Sequence, residues 1–453
     1  MKILLVQPSE PDTVLSRSMI IEPLGMESIA GQLGRDHDIR LLDMRFDQNF
    51  HQALQEFSPD VLGITGVTAD YYLMQQMFKQ AKERKPEIVT IAGGPHPTMV
   101  PTDFNLPEVD VTIIGDGELK FKHVIRSLET RGDLQELGNI PGIAWHGPKG
   151  FEITSKKLHP VDISVLEIPN RDISRAYRQN YFRGTWKPLA ASYSTRGCDY
   201  RCDFCCTWRL AGGRFQTRGV ENFINDLASI EEPYVFLAED NTIGDPQYSM
   251  KLYEAVKASG IRKSYQFYAR SDEIIANKQL MVNWKSIGMK LVLIGMEMAS
   301  DQELNAVNKN NTTRNNEAAV QFLKSIDVET ISYFLIDPAF TDEDFKRLTD
   351  YVLKLKLSHP VYFILTPLPG TTLYQQRKSQ LITHDYTKFD FFHCVSKTTL
   401  PQHQFYERFI QLYRDTYLKR DASEAEKSVF DSGIVGNLLK NLEIEYAEEL
   451  IRN

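Results

Sequence analysis

Short apolar runs alternate with amphipathic stretches through the first 120 residues of the chain. The amphipathic stretches include Leu24 to Leu33 and Tyr71 to Arg84. Strands that alternate with helices predict a parallel sheet covered by helices on both faces. We therefore expect a doubly wound, Rossmann-like α/β domain over residues 1–137. The strand-length runs are Ile3 to Val6, Ile39 to Leu42, Val61 to Thr65, Ile88 to Ala92 and Val111 to Ile114.

A second alternating series occupies residues 188–375 and predicts a partial (β/α)6 barrel. In such barrels the chemistry lies at the carboxyl ends of the strands. Residues 138–187 are rich in proline and contain a predicted hairpin around Gly147 to Gly150, so we expect a structured linker. Residues 376–453 are predicted to be mainly helical, with helices at Gln402 to Leu418 and Ser423 to Ile451. The six predicted strands are Ala190 to Thr195, Tyr234 to Ala238, Tyr265 to Ala269, Lys290 to Ile294, Glu329 to Leu335 and Val361 to Leu365.

Three strand ends in the first domain carry small and turn-forming residues, at Gly63 to Thr68, Gly93 to Thr98 and Gly115 to Glu118. Glycine lets a ligand approach the backbone closely, and ligands of such sheets bind at the carboxyl ends of the strands. A large flat ligand across this edge would explain the pattern. Tight loops of an ordinary α/β domain explain it equally well.

Composition and charge narrow the class of protein. With 453 residues, of which 42% are hydrophobic, the chain can bury substantial cores. A formal net charge of -8 gives no broad basic field, so nucleic acid is not the expected partner. The first apolar run is too short for a signal peptide, and no run approaches the about 18 apolar residues of a membrane span. We expect a cytoplasmic protein without an integral span, which leaves peripheral contact with a membrane open.

Four of the five cysteines lie within the nine residues from Cys198 to Cys206, which is a poor disulfide framework. Cys198, Cys202 and Cys205 directly follow the first strand of the predicted barrel. Thiolates suit iron-sulfur clusters or zinc, but structural zinc usually takes four ligands in two separated pairs. The distant thiol is Cys394, beside His393. Three thiolates in one loop favour a cuboidal cluster in which one iron lacks a protein ligand.

The spacing Cys-x3-Cys-x2-Cys, with Phe204 before the last cysteine, resembles the signature of the radical S-adenosylmethionine superfamily. The resemblance implies a 4Fe-4S cluster on Cys198, Cys202 and Cys205 whose open iron chelates S-adenosylmethionine and whose electron releases a deoxyadenosyl radical. Cys206 and Cys394 fall outside the pattern, and packed thiols are expected there. Further contacts to S-adenosylmethionine are implied at Phe204 and at later strand ends, where helix caps or ion pairs are the alternatives: Glu239, Asp240, Arg270 and Glu297.

The whole chain resembles the cobalamin-binding class of this superfamily through Pro23 to Ala30, Gly93 to Pro97 and Gly115 to Glu118. The Asp-x-His-x-x-Gly motif of other cobalamin proteins is absent, so the resemblance places the lower face of the cobalt against the loop from Gly63 to Tyr71. His96 is a conceivable ligand, but a surface or packed residue is the expectation for a loop histidine beside two prolines. The implied cobalamin contacts are Gly63, Thr65, Thr68, Gly93, Gly94, Gly115, Gly117 and Glu118.

The segment from Thr366 to Tyr374, with Leu381 to Asp385 after it, looks most like the hopanoid C-3 methylase branch and bacteriochlorophyll-pathway methyltransferases. That resemblance implies methyl transfer to an unactivated carbon of a small or lipid-like substrate. It also implies two S-adenosylmethionine molecules per turnover and an external electron donor such as flavodoxin or ferredoxin. Two other interpretations stay open: a cobalamin-dependent cyclase or oxidase of the magnesium-protoporphyrin type, and a noncatalytic cobalamin or iron-sulfur sensor.

Overall fold

The computed structural model describes residues 1–9, 18–131, 134, 137–147, 149–155, 158, 160–418 and 432–447. Two α/β halves follow one another along the chain. The strands of the first half are β1 Lys2–Gln7, β2 Met19–Ile20, β3 Asp38–Asp43, β4 Val61–Thr65, β5 Val89–Gly93, β6 Val111–Ile113, β7 Ile143–Gly147 and β8 Gly150–Ile153. Its helices are α1 Leu24–Leu33, α2 Phe50–Phe57, α3 Tyr71–Arg84, α4 Pro95–Met99 and α5 Glu118–Arg131.

A seven-stranded sheet in the order β3-β1-β4-β5-β6-β7-β8 forms the core of the first half. The pairs from β3 to β6 are parallel, as predicted for a doubly wound domain. Alternate residues of β1 enter two different cores. Ile3 and Leu5 pack with α1 and α5, whereas Leu4 and Val6 pack with α2 and α3. Burial on both faces explains why these strands read as unbroken apolar runs.

The predicted hairpin is part of this sheet. β7 pairs antiparallel with both β6 and β8, and Trp145 of β7 lies opposite Val111 of β6. The sheet therefore continues to Ile153, beyond the boundary expected at residue 137. Ile143 and Trp145 join the core that α1 and α5 cover. Burial of these apolar side chains stabilises the docking of the hairpin on the sheet.

The second half contains a six-stranded sheet in the order β10-β13-β14-β15-β16-β17, with every neighbouring pair parallel. This confirms a partial barrel. Its strands and the short ones beside them are β9 Phe182–Arg183, β10 Leu189–Ser192, β11 Thr195–Arg196, β12 Gln216–Thr217, β13 Tyr234–Leu237, β14 Ser264–Tyr268, β15 Met289–Glu297, β16 Glu329–Ile336 and β17 His359–Ile364. The predicted first strand is shorter than expected, because Thr195 belongs to the antiparallel pair β11–β12.

The helices of this half pack on the outer face of the partial barrel around a large apolar core. In the described residues, the short helix Thr372–Arg377 and two longer helices follow the last strand, and the two longer ones were predicted. The first of the longer helices, Gln402–Leu418, has the predicted bounds; the second is described over Ser432–Glu445, and the rest of its predicted span lies outside the described residues. The helices are α6 Thr207–Leu210, α7 Val220–Ser229, α8 Pro246–Ser259, α9 Ser271–Ala276, α10 Lys278–Ser286, α11 Asp301–Ala306, α12 Thr313–Ser325, α13 Asp342–Leu355, α14 Thr372–Arg377, α15 Gln402–Leu418 and α16 Ser432–Glu445.

Buried charges join the two halves. Glu22, just before α1, accepts a hydrogen bond from the backbone amide of Ala191 in β10. Arg171, in the connecting segment, lies between Glu22 and Asp226 of α7, and both carboxylates are fully buried. Arg178 also pairs with Glu22, at 2.6 Å. Because an unpaired buried charge is costly, these contacts fix how the halves meet.

Among the helices of the described ranges, none has the length and apolar character needed to cross a bilayer.

Candidate functional site

The three cysteines lie on one loop between β11 and α6, at the carboxyl end of the partial barrel. The Cys205 amide donates to the Cys202 carbonyl at 3.2 Å, which tightens the loop between these two ligand candidates. Cys202 is buried and Cys198 and Cys205 are half-buried. Burial raises the pKa of Cys202 to about 11 and also raises the pKa values of Cys198 and Cys205. The loop therefore presents three soft donors in low-polarity surroundings.

This donor set fits a 4Fe-4S cluster. Cysteine thiolates hold such clusters, each thiolate binding its own iron. Over the described ranges, no three histidine, cysteine or carboxylate side chains converge as the ligands of a single metal ion would. Burial also raises the pKa of Cys206 to about 12. However, Cys206 is the N-cap residue of α6 and lies outside the three-thiol pattern.

A second loop, residues 307–311, contacts the cysteine loop and holds it in place, and we call it the clamp. The Asp203 amide donates to the Val307 carbonyl at 3.1 Å, and the Asn308 side chain donates to the Arg201 carbonyl at 2.8 Å. Asn308 and Asn310 have positive φ angles of 54° and 50°, which asparagine tolerates better than most residues. The clamp thus fixes the backbone around Cys202 without using the thiols.

Two further elements support the same loop. Leu373, at the start of α14, donates its amide to the Asp203 carbonyl at 2.9 Å. The Trp208 indole in α6 donates to the Cys202 carbonyl at 3.2 Å. Phe204, predicted to contact a cofactor, packs beside an apolar cluster that includes Leu373. The packing of Phe204 against this cluster anchors the cysteine loop. A contact between Phe204 and S-adenosylmethionine stays a prediction.

Glu239 and Asp240 follow β13 and both bond to the chain that leads into the cysteine loop. Glu239 accepts from the Ser194 amide at 2.6 Å and from the Thr195 hydroxyl at 2.8 Å, and burial raises its pKa. Asp240 accepts from the Gly197 amide at 2.7 Å. Asp240 is exposed, whereas Glu239 is buried. Of the two, Asp240 is therefore the better placed to meet a bound molecule.

Arg270, at the end of β14, joins three parts of the site. Its guanidinium lies over the Tyr200 ring at 3.3 Å from the centroid and pairs with Asp272 at 3.1 Å. It also donates to the carbonyls of Lys309 and Asn310 in the clamp. The residue is buried, so it connects the cysteine loop to the clamp.

Glu297, at the end of β15, pairs with Lys309 of the clamp at 2.8 Å. Both residues are only 7% exposed. Glu297 has a φ of 63°, an unfavourable conformation for a non-glycine residue that is often retained at functional sites. Burial lowers the pKa of Lys309, but the opposing charges of Glu297 and the Cys202 thiolate outweigh it and the pKa is raised. A cation therefore stands beside the cysteine loop.

Sequence reasoning missed Lys309. The signal that could have found the clamp is the run Asn308-Lys-Asn-Asn311, because closely spaced asparagines favour left-handed turns. It also missed Glu273, which accepts from the Asn241 side chain at 2.9 Å and whose pKa burial raises. Asn241 is buried there, and its side-chain oxygen has no hydrogen-bond partner among the described residues. This oxygen is one that a bound polar ligand would satisfy.

In the first half, a cavity of about 280 Å³ opens at the carboxyl ends of β1, β4, β5 and β6. This position, where the strand order reverses, is where doubly wound sheets bind ligands. Gly93 would meet no atom within 4 Å if it carried a Cβ, so it leaves the cavity open. Gly94 and Gly115 have positive φ angles of 97° and 85°. The predicted cobalamin contacts among the lining residues are Gly63, Thr65, Gly93, Gly94, Gly115, Gly117 and Glu118.

These walls fit a cobalamin cradle, since a glycine-lined edge admits a bulky group against the backbone. Thr68 is the predicted contact that the cavity lining does not include. It is buried, and its hydroxyl lies 3.3 Å from Nδ1 of His96. His96 is packed among the rings of Tyr71 and Tyr386, with centroids 5.3 and 5.0 Å away. The structure thus places His96 in a packed environment, which is one of the two outcomes that the sequence interpretation left open.

Arg196 connects the cavity to the cysteine loop. Its guanidinium pairs with Asp116 at 2.8 Å and with Glu118 at 2.6 Å, and it lines the cavity. Both carboxylates belong to the Gly115 to Glu118 motif, whereas Arg196 stands two positions before Cys198. The two predicted cofactor sites are therefore joined by one ion-pair cluster.

The chain matches two protein-family models, "B12 binding domain" over residues 12–125 and "Radical SAM superfamily" over residues 192–352. It is 30% identical to the hopanoid C-3 methylase of Methylococcus capsulatus over 427 residues, which cover 92% of this chain and 81% of that protein. It is 24% identical to the bacteriochlorophyllide d C-12(1)-methyltransferase of Chlorobaculum tepidum, over 92% of this chain and 87% of that protein. An anaerobic magnesium-protoporphyrin IX monomethyl ester cyclase of Cereibacter sphaeroides is 22% identical over 84% of this chain and 64% of that protein.

Solved structures share the fold. The cobalamin-dependent S-adenosylmethionine radical enzyme OxsB, with aqua-cobalamin and S-adenosylmethionine bound, matches with a TM-score of 0.72 and 14% identity over 100% of this chain and 80% of that chain. The radical S-adenosylmethionine methyltransferase TsrM from Kitasatospora setae, with cobalamin and a [4Fe-4S] cluster bound, matches with a TM-score of 0.71 and 14% identity over 98% of this chain and 99% of that chain. The cysteine loop, the glycine-lined cavity and the matches over nearly the whole length lead to one conclusion: this chain belongs to the cobalamin-dependent radical S-adenosylmethionine methyltransferase family that includes hopanoid C-3 methylase.

Proposed function

We propose that this enzyme transfers a methyl group to an unactivated carbon of a small or lipid-like substrate, using two S-adenosylmethionine molecules per turnover. One observation carries the proposal: Arg196 joins the glycine-lined cavity to the loop of Cys198, Cys202 and Cys205 through paired carboxylates. Methyl transfer between two cofactors requires that their sites face a common space. The similarity to hopanoid C-3 methylase supports the reaction class.

The residues of the chain have separate tasks in this proposal. Cys198, Cys202 and Cys205 would hold the 4Fe-4S cluster, which supplies the electron that cleaves S-adenosylmethionine, while cobalamin in the cavity carries the methyl group. The clamp and Arg270 keep the cysteine loop in one geometry. Asp240 would meet the amino group of S-adenosylmethionine, and its exposure beside the cysteine loop supports this role. An external donor such as flavodoxin or ferredoxin would supply electrons to the cluster.

The test is isotopic. The enzyme, reconstituted anaerobically with iron, sulfide and cobalamin, is incubated with a strong reductant, trideuteromethyl S-adenosylmethionine and a small-molecule extract of its source cells. We expect a product that carries the intact trideuteromethyl group, detected by mass spectrometry. A product altered in mass without the label would reject methylation and favour a cyclase or oxidase, which the similarity to magnesium-protoporphyrin cyclases keeps as the second candidate.

The sensor interpretation has a separate test. An enzyme of this type releases deoxyadenosine when the cluster is strongly reduced, whereas a sensor has no need to cleave S-adenosylmethionine. We expect reductant-dependent deoxyadenosine, and the Cys202→Ala variant serves as the control that should release none. Absence of deoxyadenosine from the reconstituted native enzyme would favour the sensor.

A further inference from the structure

The lumen of the partial barrel contains a buried positive charge that no carboxylate of the described residues neutralises. Arg183, in β9, is 2% exposed. Its guanidinium lies over the Phe236 ring, 4.6 Å from the centroid, and reaches the Tyr333 hydroxyl at 3.3 Å. Across the described part of the chain, no carboxylate lies within ion-pair distance of it, and its Nε has no hydrogen-bond partner. Burying a charge without a counter-charge is costly, so such an arrangement needs an explanation.

A second unpartnered group lies in the same layer of the barrel. Gln266 of β14 pairs in register with Phe236 on one side and Leu291 on the other, and both neighbours belong to the lumen core. Gln266 is fully buried, and neither its amide nitrogen nor its carbonyl oxygen has a hydrogen-bond partner. Buried amides in native proteins are normally satisfied. The Gln266 amide is a donor that faces the lumen near the Arg183 guanidinium, which has no counter-charge. We therefore expect the acceptor for both groups to belong to a bound molecule.

Arg183 and Gln266 together form what we call the polar floor of the lumen. Aromatic rings line the lumen next to this polar floor. Tyr268 stacks on Tyr333 with centroids 6.1 Å apart, and Tyr333 stacks on Phe363 at 5.8 Å. We call these three residues the aromatic wall. All three are half-buried, so part of each ring faces open space. Such a wall suits an apolar body that packs by contact area and ring stacking.

The lumen opens toward the cysteine loop. The aromatic wall begins at the end of β14, two residues before Arg270, which contacts both the cysteine loop and the clamp. Gly295 of β15 lies beside Tyr333, and a Cβ there would come within 2.3 Å of a Glu297 carboxylate oxygen. A molecule on the aromatic wall would therefore lie between the polar floor and the cofactor end of the barrel.

We infer that the lumen binds an apolar substrate that ends in a carboxylate, with the carboxylate on Arg183 and Gln266 and the apolar body on the aromatic wall. A guanidinium and an amide N–H together match the two oxygens of a carboxylate. A phosphate would bring more charge than one arginine balances. This inference rests on the proposed function only because it takes the lumen as the substrate site. It is tested by binding without turnover, so its failure leaves the isotopic test untouched.

The experiment uses two probes that share a ring system and differ in charge: 2-naphthylacetate and 2-naphthaleneethanol. Their dissociation constants are measured by calorimetry on the enzyme loaded with cluster, cobalamin and S-adenosylmethionine. We expect the carboxylate to bind about tenfold tighter or more, because charge-assisted hydrogen bonds to a buried arginine favour it. Equal affinities, a preference for the alcohol, or no binding of either probe would overturn the inference.

Variants separate recognition from folding. Arg183→Met should abolish the preference for the carboxylate, whereas Lys187→Met removes an exposed positive charge from the same segment and should leave the preference intact. If Arg183→Met does not fold, Gln266→Leu gives a second test. A buried amide without partners contributes no stability, so this variant should keep or raise the melting temperature while weakening binding of 2-naphthylacetate. A preference that survives in either folded lumen variant would contradict the assignment.

Discussion

At the scale of single residues, the surroundings of Cys202 keep its thiol protonated. Burial raises its pKa to about 11, and the charge of Lys309 acts in the opposite direction by favouring the thiolate. The thiol form therefore dominates at neutral pH in the absence of iron. Because iron replaces the proton, cluster assembly should release protons and proceed more readily as pH rises.

The first prediction concerns this thiol. Cys202→Ala should abolish the brown chromophore of the reconstituted protein, because three thiolates are the fewest that hold a 4Fe-4S cluster with one open iron. Iron content and visible absorbance measure the loss. Cys206→Ala is the matched control, since Cys206 is half-buried and burial also raises its pKa, but it lies outside the pattern. A chromophore that persists in Cys202→Ala and disappears in Cys206→Ala would reassign the ligands.

The second prediction concerns Gly93. Its Cβ position is open, so Gly93→Leu should fold normally while its side chain fills the glycine-lined cavity. We expect the dissociation constant for cobalamin to rise about tenfold or more, measured by gel filtration and absorbance. Gly436→Leu, at another glycine with open space around it, should retain cobalamin as the native protein does. Unchanged retention in Gly93→Leu would mean that cobalamin does not occupy this cavity.

At the scale of elements, His393 links the helix α16 to the segment that follows the last strand of the barrel. The Nδ1 atom of His393 lies 3.0 Å from Asp390, and Nε2 lies 3.2 Å from Glu445 at the end of α16. Burial lowers the pKa of His393, but the two carboxylates outweigh it and the pKa is raised. A raised pKa in the folded state means that protonated His393 stabilises the fold, and the part of this stabilisation that comes from Glu445 favours docking of the helix.

The third prediction follows from the sign of this shift. The stabilisation is fully present below the ordinary histidine pKa of about 6.5 and is lost as pH rises through the higher folded value. Amide hydrogen exchange in residues 432–445, corrected for intrinsic rates, should therefore speed up as pH rises through that window. His393→Gln should remove the pH dependence. A pH dependence that is equal in both proteins would place its origin elsewhere.

The helices and the hairpin show what the local pattern of apolar residues could predict. Periodicity predicted α1 and α3 with the bounds that the structure has, because the apolar stripe of each helix faces one core. The hairpin was also predicted, but its place at the edge of the first sheet was not. That place depends on pairing Trp145 with Val111, which are far apart in sequence.

At the scale of the whole molecule, buried ion pairs fix how the halves meet, and the fourth prediction tests them. Arg171→Met removes one cation shared by two buried carboxylates, and it leaves Glu22 paired with Arg178 and Asp226 paired with Arg218. Because each carboxylate keeps one partner, the free energy of unfolding should fall by about 3 kcal/mol, the low end of the cost of breaking a buried pair. Urea denaturation followed by tryptophan fluorescence measures this loss.

A matched surface pair supplies the control. Arg175 pairs with Asp172 at 2.6 Å, but both side chains are more than two-thirds exposed. Arg175→Met should therefore change the free energy of unfolding by no more than about 1 kcal/mol. Equal losses in the two variants would show that burial of the Arg171 pairs has no special role between the halves.

The sequence by itself determined the features that depend on near neighbours. The alternation of strands and helices, the glycine-rich strand ends and the three-cysteine loop each follow from residues a few positions apart. These patterns were enough for the fold class and for the family resemblance, both of which the comparisons confirm. Thr68 shows the limit: it lies in the predicted loop, yet its side chain contacts His96 instead of lining the cavity.

Only the tertiary structure decided which polar groups meet. Arg196 and Glu118 are 78 positions apart, and Arg183 and Tyr333 are 150 positions apart. Sheet order and register bring such partners together, and neither is encoded by the spacing of residues along one strand. The same reason explains why the chain alone showed neither the clamp around the cysteine loop nor the unpaired arginine in the barrel.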